Sequence, residues 1–313
     1  FLVDLTLTVI VRAVCSLDGA YDGRTLREAF AQYLDDVVRV SPLDYLRLPS
    51  GLAAALKPGR SRTLARVRAE IDGIVARRLA EGGQGRRDLL QSLIEATDPA
   101  TGRPMPPEQI RNNILLMVVA GHETTANSLA WAVYLLAGRG DLQEAIRQEL
   151  GPARISESRS LPERTPMLDA VLSETMRLYP GAPLLIREVQ QADDLAGCPV
   201  RRGAFLFVPL YALHRNARFW EAPDSFWPER FLPGAGPAHR PYQYLPFSVG
   251  PYGCVGAGFA QVEMRALLAD FVQRFRFRHA PGRPEPRPEA VLTLKPEGGV
   301  WIAAERLPEA ETA

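Results

Sequence analysis

This sequence predicts a mainly α-helical fold with a minor β part, on three observations. Through the first half, apolar residues recur at three- and four-residue spacing, the period of a helix with one buried face. One stretch, from Pro107 to about Ala137, keeps helix-forming character without a break. From Pro183 onward the texture changes to short β-favouring runs divided by turn residues, of which Ala204–Val208 is the clearest.

In chain order, the spacing predicts helices over 2–17, 24–40, 61–81 and 86–96. Ser41–Gly59, rich in Pro, Gly and Leu, reads as a loop. Gly82–Gly85 is a flexible break and Asp98–Gly102 a turn. The long helix opens with Pro107, placed where a missing N–H costs no helical bond. It is apolar almost all round from Ile114 to Val119, which predicts burial on every side. Its Gly121 and paired Thr124-Thr125 are poor helix formers, and a Thr hydroxyl competes for the backbone ladder, so a local bend is expected. Helices also fit 141–150 and 164–178, the second stopped by Pro180-Gly181. Residues 216–246 are dense in Pro and aromatics with no period, and read as packed coil. A helix at 257–274 follows, then strands near 275–279, 291–294 and 300–304, with a Pro-rich loop at Pro281–Pro288 and a loose tail. No linker or repeat divides the chain, so one domain over 1–313 is expected.

The 37 basic residues nearly cancel the 36 acidic ones, which argues against a nucleic-acid partner, and 46% hydrophobic content excludes a disordered chain. Three scattered cysteines, Cys15, Cys198 and Cys254, fit neither a disulfide framework nor a Cys-based zinc site; a reducing, cytoplasmic setting follows. The opening run Phe1–Val11 is apolar, but Asp4 and Arg12 interrupt it short of the about 20 residues a membrane span needs. It lacks the marks of a signal peptide and reads as a helix inside a fold whose beginning is missing.

Chemistry concentrates in four places. Cys254 sits among Gly250, Gly253 and Gly256, just before a helix whose free N–H groups favour an anionic sulfur. Such a loop suits a metal-bonding cysteine approached from one side by a flat ligand, and also fits plain packing. Ala120-Gly-His-Glu-Thr-Thr125 puts a carboxylate and hydroxyls within a core helix; a helix–helix contact through small residues is the alternative. A zinc-protease reading fails there, because the second histidine would fall on Ala126. Glu174 and Arg177 share one face of an otherwise apolar helix, so burial is expected of this pair rather than solvation, with Arg230 as a third member. Gly256-Ala-Gly258 is not a dinucleotide fingerprint, since Gln261 breaks it. Cys15 and Cys198 read as structural, and His239 and His279 as loop residues.

Taken together, Ala120–Thr125, Glu174-x-x-Arg177, Pro228-Glu-Arg-Phe231 and Phe247-x-x-Gly250…Cys254-x-Gly256 resemble the cytochrome P450 family, the haem-thiolate monooxygenases, in family order. His214-Arg-Asn216 and Phe219–Pro223 agree with it. The resemblance implies a P450-like fold lacking its N-terminal helices and strands, and haem b as cofactor. It implies Cys254 as iron ligand, with Phe247, Gly250 and Gly256 shaping its loop and Ala120 beside the haem. Glu123 and Thr124 would deliver protons to dioxygen through ordered water. Glu174, Arg177 and Arg230 would form a structural triad, and Arg187 would meet a haem propionate. Val119, Ala120, Leu184, Leu185, Ile186 and Leu294 would face an apolar substrate.

The implied reaction inserts one oxygen atom of dioxygen into that substrate, with electrons from a separate ferredoxin, flavodoxin or reductase. A haem-thiolate peroxygenase or isomerase and a non-catalytic haem-binding fragment are the rival readings. One position departs from the family pattern: Tyr252 stands two before Cys254, where Arg or His usually pairs with a propionate. A phenol donates a hydrogen bond but carries no charge near neutral pH, so looser haem retention is expected unless Arg187 or another cation compensates.

Overall fold

The computed structural model describes residues 1–16, 28, 32, 58–82, 86–152, 165–235 and 241–308. Of the expected helix over 24–40 only residues 28 and 32, both helical, are among them; the expected loop from Ser41 up to residue 57, most of the Gly-rich break, His239 and the tail from 309 lie outside, and residues 58 and 59, expected in that loop, are helical. Contacts between Cα atoms divide the chain into two compact units, Phe1–Ala126 and Asn127–Ala313.

In the first unit α1 (Leu2–Cys15), α2 (Pro58–Glu81), α3 (Leu89–Glu95) and the first part of α4 (Pro107–Ala137) share a core. The buried Leu7, Ile10, Val11 and Val14 of α1 meet Val67, Ile71, Ile74 and Val75 of α2, and Ile110, Ile114 and Val118 of α4. α1 ends at Ser16, a left-handed residue with φ 43° whose N–H returns to the Arg12 carbonyl. Asp88 caps α3 by accepting the Gln91 N–H at 2.8 Å, and also takes both arms of Arg78 at 2.8 Å.

One expectation about α4 is corrected. The stretch Ile114–Val119 is not buried all round: Ile114 and Val118 lie in the core, while Leu116 is 63% exposed. Within the first unit the neighbouring helices pack against one stripe of α4 only, so the i, i+4 positions are covered and the opposite face is not. The helix runs without interruption through 120–125. The hydroxyls of Thr124 and Thr125 donate back to the carbonyls of Ala120 and Gly121, each at 2.9 Å, as additional bonds alongside the ladder.

The second unit holds α5 (Gly140–Leu150), α6 (Pro166–Leu178) and α8 (Ala257–Arg274), with α8 packed on both others, and the one-turn α7 (Leu210–Leu213). Four antiparallel strand pairs complete it. They join β1 (Leu185–Glu188) to β4 (Phe205–Val208), β2 (Asp193–Leu195) to β3 (Cys198–Val200), β5 (Phe275–His279) to β8 (Ile302–Arg306), and β6 (Pro288–Ala290) to β7 (Leu294–Pro296). The expected strand at 291–294 is instead the turn and start of the β6–β7 hairpin. Trp131 stacks flat on Tyr179, with ring centroids 3.8 Å apart, beside a core that includes Leu136, Leu168, Val171 and Leu268. No helix among the described residues is long and apolar enough to cross a membrane.

Candidate functional site

The cysteine loop is built by short-range bonds. Gly250–Tyr252 forms a single 3₁₀ turn, entered through a left-handed Ser248 (φ 60°) and continued by Gly250 at φ 71°. The Gly253 N–H closes the turn on the Gly250 carbonyl at 2.9 Å, and the Cys254 N–H reaches the Phe247 carbonyl at 2.8 Å. A Cβ at Gly253 would lie 3.2 Å from the Gly250 oxygen, so a larger residue there would crowd the turn. Gly256 then caps α8, and a Cβ at that position would begin 3.9 Å from Cys254 Sγ. The result is an exposed thiol one turn ahead of a helix, with its main chain anchored.

Exposed apolar side chains surround this sulfur in sequence: Val249, Val255, Phe259 and Val262, together with Tyr252. Soluble surfaces carry single apolar residues routinely, but several exposed so near one cysteine in the sequence make this segment a candidate binding face. Arg187, from β1, brings its guanidinium to 4.8 Å from the centre of the Tyr252 ring. An open thiol, apolar side chains and a cation form a donor set that fits haem, which carries a metal, a flat apolar ring and two carboxylates.

A buried charge cluster centres on Arg177, all of whose donors are satisfied. Arg177 makes a bidentate pair with Glu174, at 2.7 and 2.8 Å. Its other donors reach the carbonyls of His214 and Pro223, both at 2.7 Å, and of Ser225 at 3.1 Å. Glu174 also accepts the Trp227 N–H at 2.9 Å. Arg230 Nε lies 3.3 Å from Glu174 Oε1 without hydrogen-bond alignment, a charge contact rather than a bond. The structure thus brings together the three residues Glu174, Arg177 and Arg230. Buried His214 joins this cluster through its carbonyl, while its Nε2 accepts the Leu245 N–H at 3.0 Å. Burial, aided by the nearby Arg177 cation, pulls its pKa down from 6.5 to about 4.

In the first unit, Ala120 is exposed and Val119, Glu123 and Thr124 are half-buried on α4. Their neighbours His122 and Thr125 are the buried members of the motif. His122 Nδ1 donates to the Val118 carbonyl at 2.8 Å, and burial lowers its pKa despite that bond. The Thr6 hydroxyl donates to the His122 carbonyl at 2.9 Å, fixing α1 to this turn.

Of the apolar candidates in the second unit, Leu184 and Ile186 are exposed and Leu185 is half-buried. Leu294 is 3% exposed, and its carbonyl accepts the Trp131 indole N–H at 3.4 Å, so its side chain is core. The exposed apolar residues of that hairpin are Val291 and Leu292 at its tip, the latter 68% exposed. Sequence reasoning missed both. The available signal was an apolar pair inside a turn, where polar residues are the rule.

Comparisons with known proteins converge. A family model described as Cytochrome P450 matches residues 21–303. Cytochrome P450 4V2 of Homo sapiens is 34% identical over 229 residues, covering 71% of this chain and 43% of that protein. Thromboxane-A synthase of Macaca fascicularis is 35% identical over 205 residues, covering 64% of this chain and 38% of that protein. Among solved structures, the retinoic acid-bound cyanobacterial CYP120A1 superposes with a TM-score of 0.81 at 25% identity, covering 98% of this chain and 68% of that one. The chain spans less than half the length of these curated relatives.

Proposed function

The chain belongs to the cytochrome P450 family, and from that premise we propose that the protein is a haem b monooxygenase acting on an apolar organic substrate. The observation that carries this reading is the exposed Cys254 thiol, presented by an anchored Gly-rich turn at the start of α8. When bound, the haem activates dioxygen, and thiolate ligation pushes electron density toward its iron. The reaction places one oxygen atom in the substrate and releases the other as water, consuming two electrons and two protons.

The chain's own residues divide the remaining work. The bond from the Cys254 N–H to the Phe247 carbonyl fixes the sulfur's direction, and Gly256 leaves its flank open. Val249, Val255 and Phe259 offer an apolar bed for the porphyrin. Thr124 spends its hydroxyl proton on the Ala120 carbonyl, so its oxygen lone pairs are free to accept from water. Half-buried Glu123 can take up protons from solvent and pass them inward through that water. Leu184, Ile186, Val291 and Leu292 are the exposed apolar side chains that a greasy substrate would cover, each gaining from removal from water. The structural neighbour that carries retinoic acid, a largely apolar ligand, supports this substrate class. Electrons would come from a separate ferredoxin, flavodoxin or reductase.

Turnover with isotopically labelled dioxygen tests the reading. Product formation should require both a reductant and dioxygen, and should place one labelled oxygen in the product. Turnover with peroxide alone, or product without label, would replace it with peroxygenase or isomerase chemistry.

A further inference from the structure

Two side chains of α4 reach one short hairpin. The Asn127 amide donates to the Thr293 hydroxyl at 3.2 Å, and both residues are buried. One turn further along the same helix face, the Trp131 indole N–H donates to the Leu294 carbonyl. The Leu294 N–H closes on the Gly181 carbonyl at 3.1 Å, just after Tyr179, whose ring stacks on Trp131. Three bonds therefore converge on two adjacent residues at the base of the hairpin tip. The hairpin pairs over three rungs, and Lys295 Nζ lies 3.3 Å from Glu289 across the middle one. Beyond these anchors the chain turns through Val291 and Leu292, which are 48% and 68% exposed. A buried amide–hydroxyl pair is costly unless it bonds, so it fits one register of the hairpin. A slip of one residue would turn Thr293 away from Asn127 and point Leu292 inward.

We propose that Asn127 is a positioning residue that sets the length of apolar substrate the protein accepts, by holding Thr293 and so fixing the reach of the Val291–Leu292 tip. This rests on the apolar-substrate reading above. Asn127 touches no substrate in this account; it acts through the hairpin. With the tip held at one depth, Val291 and Leu292 form a fixed stop that an aliphatic chain of one length fits best. Without the Asn127–Thr293 bond, Trp131 and Gly181 still hold Leu294, so the hairpin stays folded. Its tip then gains freedom, and the stop yields to longer chains. The bond joins two side chains alone, so removing either partner removes the same restraint.

Hydrogen exchange of the haem-loaded protein reads the restraint without turnover. Asn127→Ala and Thr293→Val should each speed exchange across residues 290–295 by about fivefold, the opening expected from one lost hydrogen bond. The double variant should add little to either, and Thr293→Ser, which keeps the acceptor, should restore slow exchange. Calorimetric titration with linear saturated alcohols of increasing length then reads the stop. In the unaltered protein, affinity should rise by about fourfold per methylene up to one length and fall beyond it. In Asn127→Ala and Thr293→Val the rise should continue past that length, and Thr293→Ser should bring the break back. Unchanged exchange in both single variants would overturn the proposal, as would fully additive effects in the double variant. A break at the same length in every protein would overturn it too, leaving the bond a structural one. Failure of the apolar-substrate reading looks different: the unaltered protein would bind no alcohol of the series, and the selecting role of Asn127 would fall with it.

Discussion

Arg177 grips Glu174 along one edge of its guanidinium, Nε to Oε2 at 2.7 Å and Nη2 to Oε1 at 2.8 Å, with both side chains at 0% exposure. A buried ion pair is costly to desolvate, and it persists here because each of the five Arg177 N–H groups has an acceptor. Three of those acceptors are carbonyls of the coil, at His214, Pro223 and Ser225. The pair therefore holds the aromatic coil against α6 as well as balancing charge.

Replacing Arg177 by Lys keeps the charge and removes the fork. Three donors cannot serve five acceptors in a plane, so Arg177→Lys should cost about 3 kcal/mol or more, in the range for a broken buried pair. Urea unfolding of the variant and the unaltered protein measures this.

His214 gives a pH dependence with a definite sign. Its Nε2 accepts the Leu245 N–H, so the folded protein needs the ring neutral, and its pKa is about 4 against 6.5 for an ordinary histidine. Between those values the unfolded chain binds a proton that the folded one refuses. Stability contributed by this site is therefore present above about pH 6.5 and lost as pH falls toward 4, by up to about 3 kcal/mol. His214→Gln should flatten that slope in unfolding curves taken across the window.

Glu263 works in the opposite direction. Both oxygens of this α8 carboxyl are buried with no hydrogen-bond partner among the described residues, and burial raises its pKa from 4.5 to about 7. The folded state holds the proton more tightly, so stability from this site is present below about pH 4.5 and lost as pH rises through 7. Glu263→Gln should stabilise the protein at pH 8 by about 1–3 kcal/mol and have little effect at pH 5, read from melting curves at the two pH values.

Much of this was legible in the sequence, and the failures have physical reasons. The bounds Pro107–Ala137 of the long helix follow from Pro at its start and unbroken helix formers behind it. The helical spacing of Glu174 and Arg177, within an apolar helix, likewise pointed to burial. The β2–β3 hairpin was not legible, because its three-residue strands lie mostly exposed and carry no apolar alternation. The roles of Leu294 and Leu292 could not be told apart either: in a short hairpin, facing depends on which residues make the turn. The Arg187–Tyr252 contact joins elements far apart in the chain, and only the fold reveals it.

Thr124→Val and Glu123→Gln should separate electron use from product formation. The Thr124 hydroxyl bonds within the described residues only to its own helix, so its loss should leave folding nearly intact. With proton delivery impaired, reductant should still be consumed while product per electron falls by about a hundredfold in the limit of general acid–base effects. Product formed per reductant oxidised is the quantity to measure.

The most direct test of Cys254 as the iron ligand is the carbon monoxide difference spectrum of the reduced, haem-loaded protein. The strongly red-shifted Soret band of thiolate ligation should appear in the unaltered protein and vanish in Cys254→Ser. A band that survives that substitution would contradict the account.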